Sequence, residues 1–317
     1  MTVAVRESIA NRTRGMLRMA GLVLVLTLAV ICVATSRTVA TGTPKTGHVT
    51  AVESAVGPQD APSDLTPSLE EAGADQPSTY ATGCHLGVPA SEPVGCTSGS
   101  PAAPLDVVLF GDSHAANWHP ALETLATRGD LHVTSHTKSG CPAHQVSDEY
   151  MTEPYPECAT WREAVLTLIA ADPPDVVVLS GLPRGTAAPV PLSEWTAGVA
   201  ATVERLSVVT TVLVVADTPN FQVDPPACLS TGPVDATTCD RPRSDAINDE
   251  YAAQERAAAM AAGGTYADLT DHFCSDTCPV IQGNILLYRD DHHLTATFSA
   301  SMADALGAVI ASALAGP

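Results

Sequence analysis

Four short, almost uninterrupted apolar runs set the strongest limit on how this chain folds: Leu105–Phe110, Leu131–Ser135, Asp175–Ser180 and Val208–Ala216. A run without polar alternation cannot leave one face in water, so each is expected to form a strand buried on both faces, as in a parallel sheet. Segments of helical length separate them, at His114–Thr127, Cys158–Ala171 and Leu192–Leu206, and two more follow at Ser244–Ala262 and Thr295–Leu314. Crossover helices must cover the two faces of such a sheet, which predicts a three-layer α/β/α sandwich. Neither a solenoid-period repeat nor a Gly-rich dinucleotide fingerprint is present.

Charge narrows the function. The 317 residues carry 35 Asp and Glu against 15 Lys and Arg, a net charge of −20. A phosphate backbone would be repelled, so no nucleic-acid partner is expected. Several arginines (Arg6, Arg12, Arg14, Arg18 and Arg37) sit near the start and flank Met19–Thr35, an uncharged apolar stretch. Arginine on its N-terminal side predicts an N-in, C-out orientation. The run is long for a signal-peptide core, yet Thr38-Val39-Ala40 resembles a small-residue cleavage site. Residues 1–40 are therefore read as a cytoplasmic tail with a retained signal anchor, or as a cleaved signal peptide. The rest is either tethered to the membrane with an extracytoplasmic domain or secreted. Residues 41–80, rich in Pro, Thr, Ser, Gly, Ala and acids, lack apolar periodicity and are expected to be a disordered tether. Residues 81–317 are expected to form one folded domain.

Apart from Cys32, the cysteines fall into sequential couples: Cys84 and Cys96, Cys141 and Cys158, Cys228 and Cys239, Cys274 and Cys278. An even number suits an oxidising compartment, and each couple is separated from the next by an expected strand or helix, so nearest-neighbour pairing is the simplest arrangement. The rival reading of His272, Cys274 and Cys278 as zinc ligands lacks an obvious fourth donor. No metal is expected.

The first apolar run ends in Phe110-Gly111-Asp112-Ser113-His114-Ala115. Ligands of open parallel sheets bind at the carboxyl ends of the strands, which is where Ser113 falls. Gly111 permits a tight turn, and Ser113 stands at the start of the next helix, either as a nucleophile beside free backbone N–H groups or, with Asp112, as a helix cap. A serine nucleophile needs a base and a group that orients it. Far along the chain, Tyr288-Arg289-Asp290-Asp291-His292-His293-Leu294-Thr295 places Asp290 three residues before His293, within reach of its imidazole, with His292 a neighbouring candidate. Alone, such a loop is equally a metal site or a solvated turn.

Together these motifs resemble the SGNH (GDSL-like) hydrolase superfamily, and within it the extracytoplasmic SGNH domain fused to acyltransferase family 3 membrane proteins. Gly111–His114 match its GDSH block, and Asp290, His293, Leu294 and Thr295 match its D-x-x-H-L-[ST] block. The resemblance implies a flavodoxin-like, mainly parallel sheet, Ser113 as nucleophile, His293 as general base and acid, and Asp290 as the orienting carboxylate. It implies an oxyanion hole from the N–H groups of Ser113 and of Gly140, in the Thr137–Pro142 block, and no cofactor. His114 and Trp118 are candidates to touch substrate, although an aromatic one turn into a buried helix, as Trp118 is, more often packs in the core. The cysteine framework resembles the same subgroup. One block departs: Val178-Leu179-Ser180-Gly181-Leu182-Pro183-Arg184 stands where many relatives supply an Asn side-chain donor, so two backbone donors remain. The implied activity is O-acetyl transfer to, or deacetylation of, a cell-envelope or secreted glycan, with a multi-span membrane protein acting in trans as acyl donor. A non-catalytic glycan-binding module on the same fold is the alternative.

Overall fold

A computed structural model describes residues 61–316, apart from Asp148, Thr152, 184–189 and 232–234. The expected anchor or signal over residues 1–40 and most of the expected tether lie outside the described residues. The main sheet has seven strands: β1 (His85–Leu86), β2 (Cys96–Ser98), β3 (Asp106–Gly111), β4 (His132–Lys138), β5 (Val176–Ser180), β6 (Thr211–Val215) and β7 (Thr265–Ala267). Along the order β1-β4-β3-β5-β6-β7 every pairing is parallel; β2 alone runs antiparallel, beside β4. Counted from β3, the parallel strands follow the doubly wound flavodoxin order, with its switch point at the carboxyl ends of β3 and β5.

The two-sided burial expected of the apolar runs is found in the central strands. Val107 and Leu109 of β3 join one core, while Val108 and Phe110 join the other. Likewise, Val176 and Val178 of β5 face one way, and Val177 and Leu179 the other. Each such side chain contributes roughly 1.5–3 kcal/mol by leaving water. One core is closed by α2 (His119–Arg128), α6 (Ala296–Ser301) and α7 (Ala303–Ala315), the other by α3 (Pro156–Ala171), α4 (Leu192–Ser207) and α5 (Asp249–Ala261).

Boundaries depart from the sequence reading for identifiable reasons. The first helix is broken: α1 (Ser113–Ala116) stops at Asn117, and α2 restarts after Trp118 with Pro120 in its first turn. Proline lacks the N–H that a continuous helix would need there. Val208 and Val209, expected to open the fourth strand, are exposed in the turn after α4. The fifth parallel strand, β7, is only three residues long and too short to register as an apolar run.

Residues 61–80, expected in the tether, are folded onto the domain. The Thr66 N–H donates to the Asn284 carbonyl (2.8 Å) and its carbonyl accepts from the Leu286 N–H (3.0 Å). Leu65, Leu69 and the fully buried Ala72 pack against the core, and Asp75 accepts from the Ala296 and Thr297 N–H groups at the start of α6. Three spaced apolar side chains suffice to dock this arm because its polar backbone finds partners in the domain. The folded unit therefore includes residues 61–80, which the sequence reading assigns to the tether.

Among the described residues no helix is long and apolar enough to cross a membrane. Chains beginning at residue 61 should unfold at a higher temperature than chains beginning at residue 82, by several degrees, since each kcal/mol is worth roughly 2–4 °C in a domain of this size. Thermal unfolding of the two truncations checks this, and equal midpoints would show that the arm adds nothing.

Candidate active site

Gly111 ends β3 where a side chain cannot fit: a Cβ there would lie 2.3 Å from the Ser180 carbonyl oxygen and 2.7 Å from the Ala115 methyl. The strand can thus turn sharply beside β5. Asp112 then locks the turn. One carboxylate oxygen accepts from the His114 and Ala115 N–H groups (2.8 and 3.4 Å), and the other accepts from the Leu182 N–H beyond β5 (2.9 Å). Burial pushes the Asp112 carboxyl up, and these hydrogen bonds oppose it. The capping role considered for this tetrapeptide falls to Asp112, which leaves the Ser113 side chain uncommitted.

Ser113 borders a cavity of about 320 Å³ at the switch point. Opposite β3, Gly140 and Pro142 line it from the loop after β4, and Asp290 and His293 from the loop before α6. Gly140 has φ +58°, and a Cβ on it would meet the Tyr150 ring at 2.5 Å. Its position is held by the Cys141–Cys158 disulfide, both of whose sulfurs are buried. Neither the Ser113 nor the Gly140 N–H donates a hydrogen bond among the described residues.

Asp290 and His293 meet as their spacing predicts. Both Asp290 oxygens lie on His293 Nδ1 (3.0 and 2.9 Å), and Oδ1 also accepts from the His292 and His293 N–H groups (3.0 and 2.7 Å). A carboxylate only accepts, so Nδ1 carries the proton and Nε2 presents a lone pair. Nε2 is buried and has no protein partner. Burial would raise the Asp290 carboxyl, but the His293 hydrogen bond and charge outweigh it and hold it well below the usual carboxylate range. His293 is pushed down to about 4, by burial first, against the pull of Asp290. His292 is held differently, with Nδ1 on Asp291 at 2.6 Å. The geometry thus favours His293 over His292 as the base. Ser113 and His293 face one cavity without a hydrogen bond between them, an open spacing that proton-transfer pairs tighten when substrate arrives.

The two tentative substrate contacts sit elsewhere. Trp118 is fully buried and packs edge-on against Phe273 (6.2 Å), so it belongs to the core. His114 is also fully buried, off the cavity wall, with Nδ1 2.5 Å from Asp217 Oδ1. Burial would lower its pKa, but Asp217 carries it above the ordinary value. The block after β5 supplies no side-chain donor in its described residues, and its Leu182 N–H is consumed by Asp112.

Other cavity residues escaped the sequence reading. Tyr80 and His85, from the arm and β1, form one wall with their rings stacked at 4.3 Å. Arg289 lies over the Tyr80 ring (4.8 Å) and donates to its hydroxyl (3.1 Å). Nothing in the composition of the arm marks Tyr80. Asp217, by contrast, follows the end of β6, where the rule that singled out Ser113 applies equally.

The family model described as "SGNH domain (fused to AT3 domains)" matches residues 82–308. The chain belongs to this SGNH family. Among solved structures, the periplasmic domain of the Salmonella ser. Paratyphi A lipopolysaccharide acetyltransferase is 16% identical with a TM-score of 0.54, the match covering 74% of this chain and 88% of that one. A Corynascus thermopiles (Myceliophthora fergusii) carbohydrate esterase family 2 enzyme with its carbohydrate binding domain is 15% identical with a TM-score of 0.43, covering 68% of each chain. Only the first likeness bears on the fold, and it agrees with the SGNH sandwich. No functionally curated protein matches the sequence.

All four expected disulfides are formed: Cys84–Cys96, Cys141–Cys158, Cys228–Cys239 and Cys274–Cys278. Cys274 and Cys278 are therefore not available as zinc ligands.

Two predictions follow from the site's construction. In a proton NMR titration, the His293 ring should stay neutral down to about pH 4, while His114 should take up its proton at a pH above the ordinary histidine value of 6.5. The reverse order would contradict the assigned partners. Replacing Cys141 and Cys158 together by Ser should lower ester turnover at least about tenfold by freeing the Gly140 loop, by analogy with loss of one oxyanion donor. The matching change at Cys228 and Cys239, neither of which lines the cavity, should leave turnover nearly unchanged.

Proposed function

We propose that this SGNH domain is a serine-dependent acyl-transfer enzyme working outside the cytoplasm, an O-acetyltransferase or acetylesterase acting on a cell-envelope or secreted glycan. One observation carries the reading: the partly exposed Asp290 carboxylate fixes the His293 tautomer, and His293, its Nε2 unpartnered, lines the same cavity as Ser113 and two free backbone N–H groups. Capping would account for Ser113 alone, but not for this second constellation, almost two hundred residues further along the chain, at the same cavity.

In the mechanism, Ser113 Oγ attacks the ester carbonyl as its proton passes to His293 Nε2. Asp290 stabilises the imidazolium through Nδ1–H, and the oxyanion is held by the Ser113 and Gly140 N–H groups. His293 then returns the proton to the leaving alcohol, giving acyl-Ser113. A sugar hydroxyl or water repeats the steps in reverse. The residues require no cofactor. With two donors in place of three, turnover is expected to be slower by about 10²–10³-fold than in a hole with an added side-chain donor.

The four disulfides support an oxidising compartment. The Salmonella protein, named as a lipopolysaccharide acetyltransferase, supports a glycan acceptor. A multi-span membrane protein supplying the acyl group in trans completes the proposal, in keeping with a family model described as fused to AT3 domains.

Ser113→Ala and His293→Ala should each abolish turnover of a chromogenic acetate ester, and the double variant should be little worse than either, because the pair acts as a unit. Asp290→Asn should hurt less than Ser113→Ala. Mass spectrometry should find an acetyl group on Ser113. Full turnover by Ser113→Ala would overturn the mechanism, and glycan binding without any turnover would favour a binding module. The acid limb of kcat/KM should fall below pH 6.5, since the base is neutral, and competent, above about pH 4.

A further inference from the structure

His114, His292 and His293 come from two distant parts of the chain and meet beside the cavity. Their ring centroids are 5.5 Å apart for His114 and His292, 5.3 Å for His114 and His293, and 4.0 Å for His292 and His293. Each is tethered in the same way. Nδ1 of His114 lies on Asp217 (2.5 Å), Nδ1 of His292 on Asp291 (2.6 Å) and Nδ1 of His293 on Asp290 (2.9 Å). Acyl transfer accounts for one of these carboxylate–imidazole pairs and leaves two without a use.

Three imidazoles each anchored through Nδ1 to a separate carboxylate form the outer shell typical of metal-binding histidines: the carboxylate fixes the ring and raises the basicity of Nε2. Nε2 of the fully buried His114 and Nε2 of His293 have no protein partner. One ring nitrogen from each of the three histidines lies within 4.8 Å of the others. Tetrahedral zinc requires nitrogen donors about 3.3 Å apart at its usual bond length, so the trio would close by an ångström or so around the ion. Three nitrogen donors suit zinc or copper rather than calcium or magnesium, and the carboxylates behind them offset the ion's charge.

We propose that His114, His292 and His293 form a binding site for a transition-metal ion such as Zn²⁺, and that its occupancy reversibly blocks acyl transfer. The ion takes the lone pair of His293 Nε2, leaving no acceptor for the Ser113 proton, and displaces any proton that His114 carries at Nε2. The blocking half rests on His293 being the base; the binding half does not.

The test uses the full-length protein, freed of metal by chelator and titrated with ZnCl₂ by calorimetry, with Co²⁺ absorption as a spectroscopic reporter of nitrogen ligation. The expected result is one ion per chain, intense visible cobalt bands, and loss of chromogenic ester turnover that follows occupancy and is restored by chelator. His292→Ala removes a ligand and Asp291→Asn removes the support of one. Each should weaken zinc binding at least about tenfold, and Asp291→Asn should leave zinc-free turnover unchanged. Absence of stoichiometric binding at high micromolar zinc, or unaltered affinity in both variants, would overturn the site. Binding with undiminished turnover would overturn the block. If the protein turns over no ester at all, the proposed function fails while the isotherms still decide the metal site.

Discussion

The buried carboxylate of Asp112 is the constraint on which the site's arrangement hangs. It sits at the switch point of the sheet and ties the two strands whose loops part there, with one oxygen on the helix that follows β3 and the other on the chain leaving β5. Its burial costs free energy that the nearby His114 charge and these hydrogen bonds offset, so the loops cannot drift apart without leaving a buried acid short of partners. Ser113 inherits its position from that clamp. Asp112 therefore does the structural work at this turn and leaves the adjacent Ser113 side chain free of it.

The opposite side of the cavity is built on another plan. Asp290, His292 and His293 occupy a loop rather than a regular element, and their order comes from a single carboxylate gathering two backbone N–H groups and one imidazole. Arg289, nearly fully buried, braces the loop against Tyr80. The rigid sheet positions Ser113, and a loop secured by polar contacts positions the Asp290–His293 pair. Small adjustments of the loop can thus bring His293 toward Ser113 without deforming the core, which tolerates little change in its packing.

Much of this was legible in the sequence, for reasons that differ from residue to residue. The apolar runs declared the parallel sheet because a strand buried on both faces has no room for polar alternation, and the sequential cysteine couples declared their pairing because each closes a short loop. Ser113 and the Asp290–His293 pair were legible because strand ends and short spacings constrain geometry locally. Trp118 was ambiguous, since an aromatic one turn into a helix packs inward or outward according to a neighbour, here Phe273, that lies far away in sequence. The arm at residues 61–80 was misread because composition averages over a segment, whereas docking depends on a few side chains meeting partners that the sequence does not place beside them. Asp217 was missed although it follows a strand end, because the long apolar run before it was read as the end of the information there.

The arm carries a further meaning. It enters the fold along the cavity, lends Tyr80 to the wall, and is stapled at its far end by Cys84–Cys96. Ser113 and the Asp290–His293 pair come from the end of a sheet strand and from the loop before α6, so one face of the cavity is furnished by a segment that holds none of them. Such a division lets the shape of the cavity be altered by exchanging the side chains that the arm presents to it, Gln76 and Tyr80. In this architecture, the outline of the cavity can change while the placement of Ser113, Asp290 and His293 stays fixed.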